Sequence, residues 1–290
     1  MPELPEVQTV VDDLNKKIKG SLIVDFWTDW AKSIKNQLAF FKRKIKNKKI
    51  AVVKRRAKNI LIYLDDGQVM LVHLKMTGHL LLKREKVSKK DQEFFKERVN
   101  QYIHHVWTLK KGKSEMKLEF SDLRKFGKIQ LFKNEEELFK EKNFVALGTE
   151  PLDEGFDFKK FEEFLNKKPK MLVRNFLLSQ KIIAGIGNIY VSEIMFEARV
   201  HPGRIIKSLS KKEKKDLFKF TKKILKKAIE LRGTSDSDYR DTTGAPGGFQ
   251  KILKVYNREK EKCKRKGCNG IVKREKFNQR SAYFCEGCQK

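Results

Sequence analysis

The sequence predicts an α+β protein: an N-terminal β-sandwich opened by a helix, then a helical domain, then a short C-terminal hairpin pinned by cysteines. Three observations predict it. Short apolar segments recur with turns between them over the first 135 residues, the apolar period then becomes helical, and every cysteine lies in the last tenth of the chain. The opening Met1-Pro2-Glu3-Leu4-Pro5 leads into an amphipathic stretch with Val7, Val10, Val11, Leu14 and Ile18 on one face. That is a helix starting near Pro5, whose fixed φ suits a first turn. Strand-like segments follow at 22–27, 50–54, 60–64, 69–74, 79–83, 103–109, 116–120 and 128–132, with Asp65-Asp66-Gly67 as a hairpin turn signal. Eight short strands separated by turns suit a sandwich or barrel. Residues 84–100 are charged and read as a loop or exposed helix inserted at the sandwich edge.

Beyond residue 135, segments 171–180 and 189–198 are apolar at helical spacing. Ser210-Lys211-Lys212-Glu213 is a capping-box pattern that opens a helix with Leu217, Phe220, Ile224, Leu225, Ala228 and Ile229 inward and Gly233 at its end. Residues 233–248 contain almost nothing to bury and read as a flexible loop. The expected domains are 1–135 (β-sandwich), 150–232 (helical), the loop 233–248, and the hairpin 251–290.

Composition narrows the function. In 290 residues, 67 Lys and Arg face 37 Asp and Glu, a formal +30. The 39% apolar content and 21 Phe exclude a disordered basic tail, which lacks core formers. No apolar run is long enough to span a bilayer, and MPELPEVQ has no basic n-region of a signal peptide. The expectation is a folded, soluble, intracellular protein that binds polyanions. A lysine-rich composition can be inherited from a low-GC genome, but even discounted for that, the charge points to nucleic acid.

Cys263, Cys268, Cys285 and Cys288 are spaced C-x4-C, sixteen residues, C-x2-C. Two close pairs joined by a hairpin-length stretch suit one tetrahedral Zn2+, with Lys266-Gly267 and Glu286-Gly287 turning the knuckles. Two disulfides or four unrelated thiols are the alternatives. Disulfides fit poorly without a secretory signal, and chance does not readily gather every cysteine into so short a stretch. Four thiolates leave no open coordination position, so the metal is structural. Residues 251–290 carry thirteen Lys or Arg against four Glu. Arg280, near the expected hairpin turn, could clamp a phosphate bidentately; a solvated basic face is the plainer reading of the other cations.

Conventional catalytic patterns are absent from the sequence. His73, His79, His104 and His105 form no metal spacing, His201 reads as structural, and no Ser-His-Asp set can be argued. The terminus itself offers chemistry. Removal of Met1 would leave Pro2 with a free secondary amine that can attack an electrophilic carbon and form an iminium directly. Glu3 and Glu6 are carboxylates close by, suited to proton transfer. By itself, a Met-Pro start is ordinarily only a start.

The residues resemble the formamidopyrimidine-DNA glycosylase family. The resemblance rests on Pro2-Glu3-Leu4-Pro5-Glu6-Val7, Arg55-Arg56-Ala57-Lys58, His73-Leu74-Lys75-Met76-Thr77-Gly78, Asp122-Leu123-Arg124-Lys125-Phe126-Gly127, Gly185-Ile186-Gly187-Asn188-Ile189-Tyr190, and the closing cysteines with Gln279-Arg280-Ser281-Ala282-Tyr283-Phe284 between them. These segments lie in the family's order and cover the chain end to end. The resemblance implies a bacterial, cytoplasmic, nucleoid-associated monomer. It would excise oxidised purines from double-stranded DNA and cut the backbone at the abasic site, using a helix-two-turn-helix in its helical domain. Pro2 is then the nucleophile at C1′, Glu3 the proton-transfer partner, Lys58 a cation beside the damaged nucleotide, and Glu6 a supporting carboxylate. Without the family match, Lys58 would be one solvated lysine among many.

The resemblance further implies that Met76, Arg124 and Phe126 fill the void left by the flipped nucleotide. Met suits an irregular gap, Phe a wedge between bases, and Arg the orphaned base. Ordinary core packing is the competing reading for Met76 and Phe126. Asn188 at a helix start and Arg280 would grip phosphates, with Arg280 also assisting elimination, while His73, His105 and Arg174 match further DNA-contacting positions. At Arg174 the family often has Lys. Glu193 matches an acidic position near the site, and loop 233–248 the segment that closes over the flipped base. The C-x4-C knuckle is longer than in many relatives, and the 84–100 insert and the charge exceed the family pattern, which suggests strong salt dependence. The rivals are an endonuclease VIII-type enzyme for oxidised pyrimidines, a non-catalytic zinc DNA-binding protein, and a ribosome-associated zinc protein.

Overall fold

The computed structural model describes residues 1–84 and 88–290, which form two compact units. Residues 1–145 and 231–250 make the first; 146–230 and 251–290 make the second. The first holds α1 (Leu4–Ile18), β1 (Leu22–Thr28), α2 (Leu38–Ile45), β2 (Ile50–Arg56), β3 (Asn59–Leu64), β4 (Val69–His73), β5 (His79–Arg84), α3 (Lys89–Lys96), β6 (Ile103–Lys111), β7 (Ser114–Ser121), β8 (Lys128–Phe132), α4 (Glu135–Lys140) and α5 (Lys142–Val145). Its strands form two four-stranded antiparallel sheets, ordered β1-β6-β7-β5 and β2-β3-β4-β8.

Each sheet turns one face inward, as the alternation of apolar residues requires. Phe26, Trp107, Leu109, Leu118 and Phe120 come from one sheet, and Val53, Ile60, Ile62, Met70, Val72 and Ile129 from the other. The stripe Val7, Val10, Val11, Leu14 and Ile18 of α1 joins the same core, which fixes the N-terminus on the sandwich. All eight expected strand segments are strands. Helix α2 was not anticipated: it buries only Phe41 and Ile45 and keeps its Lys and Arg residues outside. Of the charged insert, residues 85–87 lie outside the described residues. Its remainder is α3, N-capped by Ser88 Oγ accepting from Asp91 N at 3.1 Å, followed by a 3-10 turn at Arg98–Gln101.

The second unit holds α6 (Phe158–Asn166), α7 (Val173–Leu178), α8 (Asn188–Glu197), α9 (Lys211–Glu230), β9 (Val272–Phe277) and β10 (Arg280–Cys285). The capping box opening α9 is formed: Ser210 N donates to Glu213 Oε2 at 2.7 Å, and Glu213 N to Ser210 Oγ at 3.2 Å. Its buried face is Leu217, Thr221, Leu225 and Ala228. Thr221 can sit inside because its hydroxyl donates to Leu217 O at 2.8 Å, while Phe220, Ile224 and Ile229, expected inward, are half-buried. Among the described residues no helix is long and apolar enough to cross a membrane.

Residues 233–248 depart from the expectation that this stretch has almost nothing to bury. Tyr239 enters the sandwich core, and Thr234, Asp241 and Thr242 are buried. Polar contacts tie the segment to α1. Arg232 reaches Asp13 at 2.5 Å and Asp241 at 2.8 Å, and Thr242 Oγ1 donates to Asp13 at 2.7 Å. The Arg232 and Thr242 hydrogen bonds outweigh burial and hold the Asp13 carboxyl below the usual carboxylate range.

Candidate active site

Glu3 is the N-cap of α1, on extended backbone, and closes a capping box with Glu6. Glu6 Oε2 accepts from Glu3 N at 2.7 Å, and its other oxygen accepts from Thr234 N at 2.7 Å. Both carboxylates are buried, as is Pro2, and the helix N-terminus favours negative charge there. Gly233, at φ +79°, lies so close that a Cβ would stand 2.7 Å from Glu6 Oε1, so only glycine lets the returning chain reach this carboxylate. Tyr239 Oη lies 3.4 Å from Glu6 O; burial, then Glu6 and Asp241, hold its phenol well above the usual range and keep it neutral. Met1 precedes Pro2 and is half exposed.

Lys58 is mostly buried on the turn between β2 and β3, where Arg56 pairs with Asn59 and Ala57 takes φ +54°. Arg55 docks that turn onto α1: its Nε donates to Gln8 Oε1 at 2.7 Å and its NH1 to Ala57 O at 3.0 Å. Asn59 pairs in turn with His73 of β4. Burial, then Lys75 and Lys58, push His73 down to about 3. Its Nδ1 accepts from Lys75 N at 2.9 Å, which puts the proton of the neutral ring on Nε2 as an uncharged donor. The fold therefore brings Pro2, Glu3, Glu6, Lys58 and His73 onto elements packed around the start of α1.

Met76, Arg124 and Phe126 stand out from two loops, β4–β5 and β7–β8, with Met76 and Phe126 42% and 44% exposed. Core packing is thereby excluded for both. Arg124 joins the other two, its NH1 3.3 Å from Met76 Sδ and its guanidinium 4.6 Å from the Phe126 ring centre. Beneath them the buried Asp122 takes four donors: the Thr77 hydroxyl, Arg124 N at 3.3 Å, Phe126 N at 2.9 Å and Gly127 N at 2.7 Å. Gly78 and Gly127 press on the Phe120 ring, where a Cβ would stand 2.6 and 2.4 Å from its carbons. The loops are fixed from below while their apolar tips face outward. Asp122 was quoted in the sequence without a role, because its partners are mostly backbone amides that no side-chain pattern reveals.

His105, expected to touch DNA, does not reach the surface. It is fully buried between Phe26 and Trp30, its Nε2 sits 2.9 Å from Ser33 Oγ, and burial pushes it down to about 3. The fold makes it a core histidine.

In the second unit, Asn188 opens α8 and its Nδ2 donates to Ser281 O at 3.0 Å. Arg174 is buried, and its NH2 donates to Asn188 Oδ1 at 2.5 Å and Ser281 O at 2.9 Å. Arg174 thus orients Asn188 and the hairpin, and burial and then Arg280 lower its guanidinium to about 10. Arg280 is exposed at the start of β10, after a turn in which Asn278 and Gln279 both have positive φ. Glu193 is buried on α8 and accepts from the backbone N–H of Lys254, Val255 and Tyr256 at 2.9, 3.0 and 2.9 Å, anchoring the strap that leads into the hairpin.

The four cysteine sulfurs lie within 4.8 Å of one another, with Cys263–Cys288 at 3.9 Å and Cys268–Cys285 at 3.7 Å. A disulfide needs about 2.05 Å, whereas thiolates about 2.3 Å from a tetrahedral zinc stand about 3.8 Å apart. The donor set fits zinc. Arg265 N and Gly270 N each point at a sulfur, Cys263 and Cys268, at 3.4 Å. Gly270 was not singled out in the sequence, yet a Cβ there would stand 2.7 Å from Cys285 Sγ and 2.9 Å from Gly287 Cα.

The profile of the formamidopyrimidine-DNA glycosylase N-terminal domain matches residues 1–129, and that of the formamidopyrimidine-DNA glycosylase H2TH domain matches 147–240. Proteins named formamidopyrimidine-DNA glycosylase are similar over the whole chain. That of Carboxydothermus hydrogenoformans is 40% identical over the full length of both proteins, and that of Pelotomaculum thermopropionicum 37%, with 99% of the relative covered. Among solved structures, Lactococcus lactis Fpg, as a point mutant bound to a Fapy-dG containing DNA, superposes with a TM-score of 0.85 at 30% identity over both complete chains. Its complex with abasic-site DNA gives 0.85 at 29%, covering 99% of each chain.

Proposed function

The chain belongs to the formamidopyrimidine-DNA glycosylase family, a DNA-repair glycosylase by that membership, and on that premise we propose that it excises oxidised purines from duplex DNA and then cleaves the strand through an iminium on Pro2. The observation that carries the reading is the outward cluster Met76–Arg124–Phe126 on loops immobilised by Asp122. Apolar side chains held rigidly in solvent need an apolar partner, and an opened base stack is one. The cost of unstacking a nucleotide, a few kcal/mol, is offset by filling the gap.

Once Met1 is removed, the Pro2 nitrogen attacks C1′ of the flipped nucleotide and the C1′–N bond to the base breaks, the base leaving with a proton. The Glu3 carboxyl protonates O4′ as the sugar ring opens, and the C1′=N⁺ iminium forms. The iminium acidifies the C2′ proton. Its removal expels the 3′ phosphate, a second elimination expels the 5′ phosphate, and hydrolysis returns the Pro2 amine. Lys58 and the neutral Nε2–H of His73 hold the phosphate beside the damaged nucleotide, while Asn188, oriented by Arg174, and Arg280 grip phosphates from the second unit. Glu6 holds the end of the chain in place. Zinc, when bound by Cys263, Cys268, Cys285 and Cys288, cross-links the hairpin and takes no part in the chemistry. The protein works as a monomer in the cytoplasm, where the bacterial chromosome lies.

Borohydride trapping on a duplex carrying one 8-oxoguanine opposite cytosine, with peptide mapping, tests this. The expected result is a covalent adduct on the N-terminal peptide at Pro2, from protein whose intact mass lacks Met1. Trapping only on an oxidised-pyrimidine duplex would move the substrate to the endonuclease VIII class. No adduct on either, from processed protein that binds DNA, would refute catalysis.

A further inference from the structure

The insert at 88–101 packs on the far end of segment 233–248, entirely within the first unit. Glu97 Oε2 accepts from Arg240 Nε at 3.0 Å. The same guanidinium donates through NH1 to Ser237 O at 3.2 Å and Tyr239 O at 2.9 Å. Asn100 Nδ2 donates to Gly244 O at 3.2 Å and to Phe94 O at 2.7 Å, and its Oδ1 meets His79 Nε2 at 2.8 Å. Gly244 fits against this corner so closely that a Cβ would stand 2.9 Å from Asn100 Nδ2 and 3.3 Å from Phe94 and Phe95. Phe95 is buried under the Lys83 ammonium, 5.5 Å from its ring centre, and Lys83 is paired with Glu119 at 2.8 Å. Thr242 O accepts from Leu82 N at 2.8 Å.

The segment is therefore held at both ends. Glu6 and Asp13 fix its start, and the insert takes the carbonyls of residues 237, 239 and 244 directly or through Arg240. Apart from Pro246, what stays exposed is a short tip at Asp236 and Ser237. We propose that the 88–101 insert is a brace for base recognition, with Glu97 and Arg240 as positioning residues that fix the tip before DNA arrives. A tip ordered in advance does not pay its ordering entropy on binding, so the brace speeds capture of a flipped base. This rests on the reading that segment 233–248 faces that base. It also gives the described part of the charged insert a structural task inside the protein.

The test uses full-length, zinc-loaded protein with Glu97→Ala and Arg240→Ala. Two quantities are measured: hydrogen exchange of peptides across 234–245, and single-turnover rates on an 8-oxoguanine duplex against the same duplex with a preformed abasic site, where no base needs holding. Both variants should exchange the tip amides at least threefold faster and excise the base roughly three- to tenfold more slowly, with abasic cleavage within about twofold of wild type. Glu97→Gln, which keeps an acceptor for Arg240 Nε, should recover most of the excision. Unchanged exchange, or equal losses on both duplexes, overturns the brace. Wild-type protein that cleaves the abasic duplex but leaves 8-oxoguanine in place sinks the substrate reading instead, and hydrogen exchange then judges the brace alone.

Discussion

Asp122 offers a sharp test of how the Met76–Arg124–Phe126 cluster is held. In Asp122→Ala, the Thr77 hydroxyl, Phe126 N and Gly127 N lose their acceptor at once, while Arg124 N keeps Thr77 Oγ1 at 3.1 Å. The amide of Phe126 belongs to an exposed residue and can take water at small cost, whereas Gly127 N and the Thr77 hydroxyl are buried. An unsatisfied buried donor costs about 1–3 kcal/mol, so the two together cost about 2–6 kcal/mol. At about 2–4 °C per kcal/mol for a domain of this size, the midpoint should fall by roughly 5–20 °C. Asp122→Asn should do less. Its carbonyl can keep Phe126 N and Gly127 N while its amide turns to Thr77 Oγ1, so one buried donor, the Thr77 hydroxyl, loses its acceptor instead of two, at about 1–3 kcal/mol. Thermal unfolding by circular dichroism gives the midpoints. Single-turnover cleavage of a lesion duplex, run well below them, gives the function, which should fall at least tenfold in the alanine variant because Phe126 and Arg124 are no longer aimed. An alanine variant within 1 °C of wild type, or an asparagine variant as unstable as alanine, would refute the assignment.

Acid should destabilise the protein early. His73, His79 and His105 are held by burial at about 3, 4 and 3, so they stay neutral when folded and charge on unfolding once the pH is below about 6.5. Protons then favour the unfolded chain. Each pH unit below 6.5 costs about 1.4 kcal/mol per histidine, against one opposing carboxyl, Glu193, which burial raises. The midpoint at pH 5 should lie well below that at pH 7, and a flat profile over that window would count against three neutral buried rings. Gly270→Ala should drive a methyl into Cys285 Sγ and lower the zinc content from one per chain toward none, measured by metal release after thiol modification; full zinc content would show that the knuckle yields. Glu6→Gln turns one amide group toward a backbone N–H and leaves a buried donor unpaired, at a cost of about 1–3 kcal/mol. Slower lesion excision together with a lower midpoint is expected, and an unchanged midpoint would mean that the Thr234 contact carries no weight.

What could be read from the sequence was what repeats or clusters in it. The strands announced themselves by alternation, α1 by its five-residue stripe, and the metal site by four cysteines whose sulfurs do converge. Features that depend on backbone amides far away in the chain left no trace. Glu193 accepts from three N–H groups about sixty residues onward, which no side-chain pattern reveals, and Asp122 had no visible purpose. His105 shows the limit of matching positions: its ring is where the pattern puts it, but Phe26 and Trp30 enclose it. Segment 233–248 misled through composition, since one tyrosine and a few buried polar groups sufficed to tie down a stretch that looks soluble throughout.

The path of the chain through its two units also bears on how the protein is made. Glu6 emerges from the ribosome almost at once, yet the amide that satisfies its second oxygen belongs to Thr234. At about 5–20 residues per second, the partner follows after roughly ten to fifty seconds. Until then the sandwich lacks Tyr239 in its core and α1 lacks the Asp13–Arg232 tie. A chain that stops before residue 231 has Pro2, Glu3 and Glu6 but lacks the Thr234 amide and the Tyr239 hydroxyl that meet Glu6. The surroundings of the N-terminus are thereby completed only after residue 239 has been made.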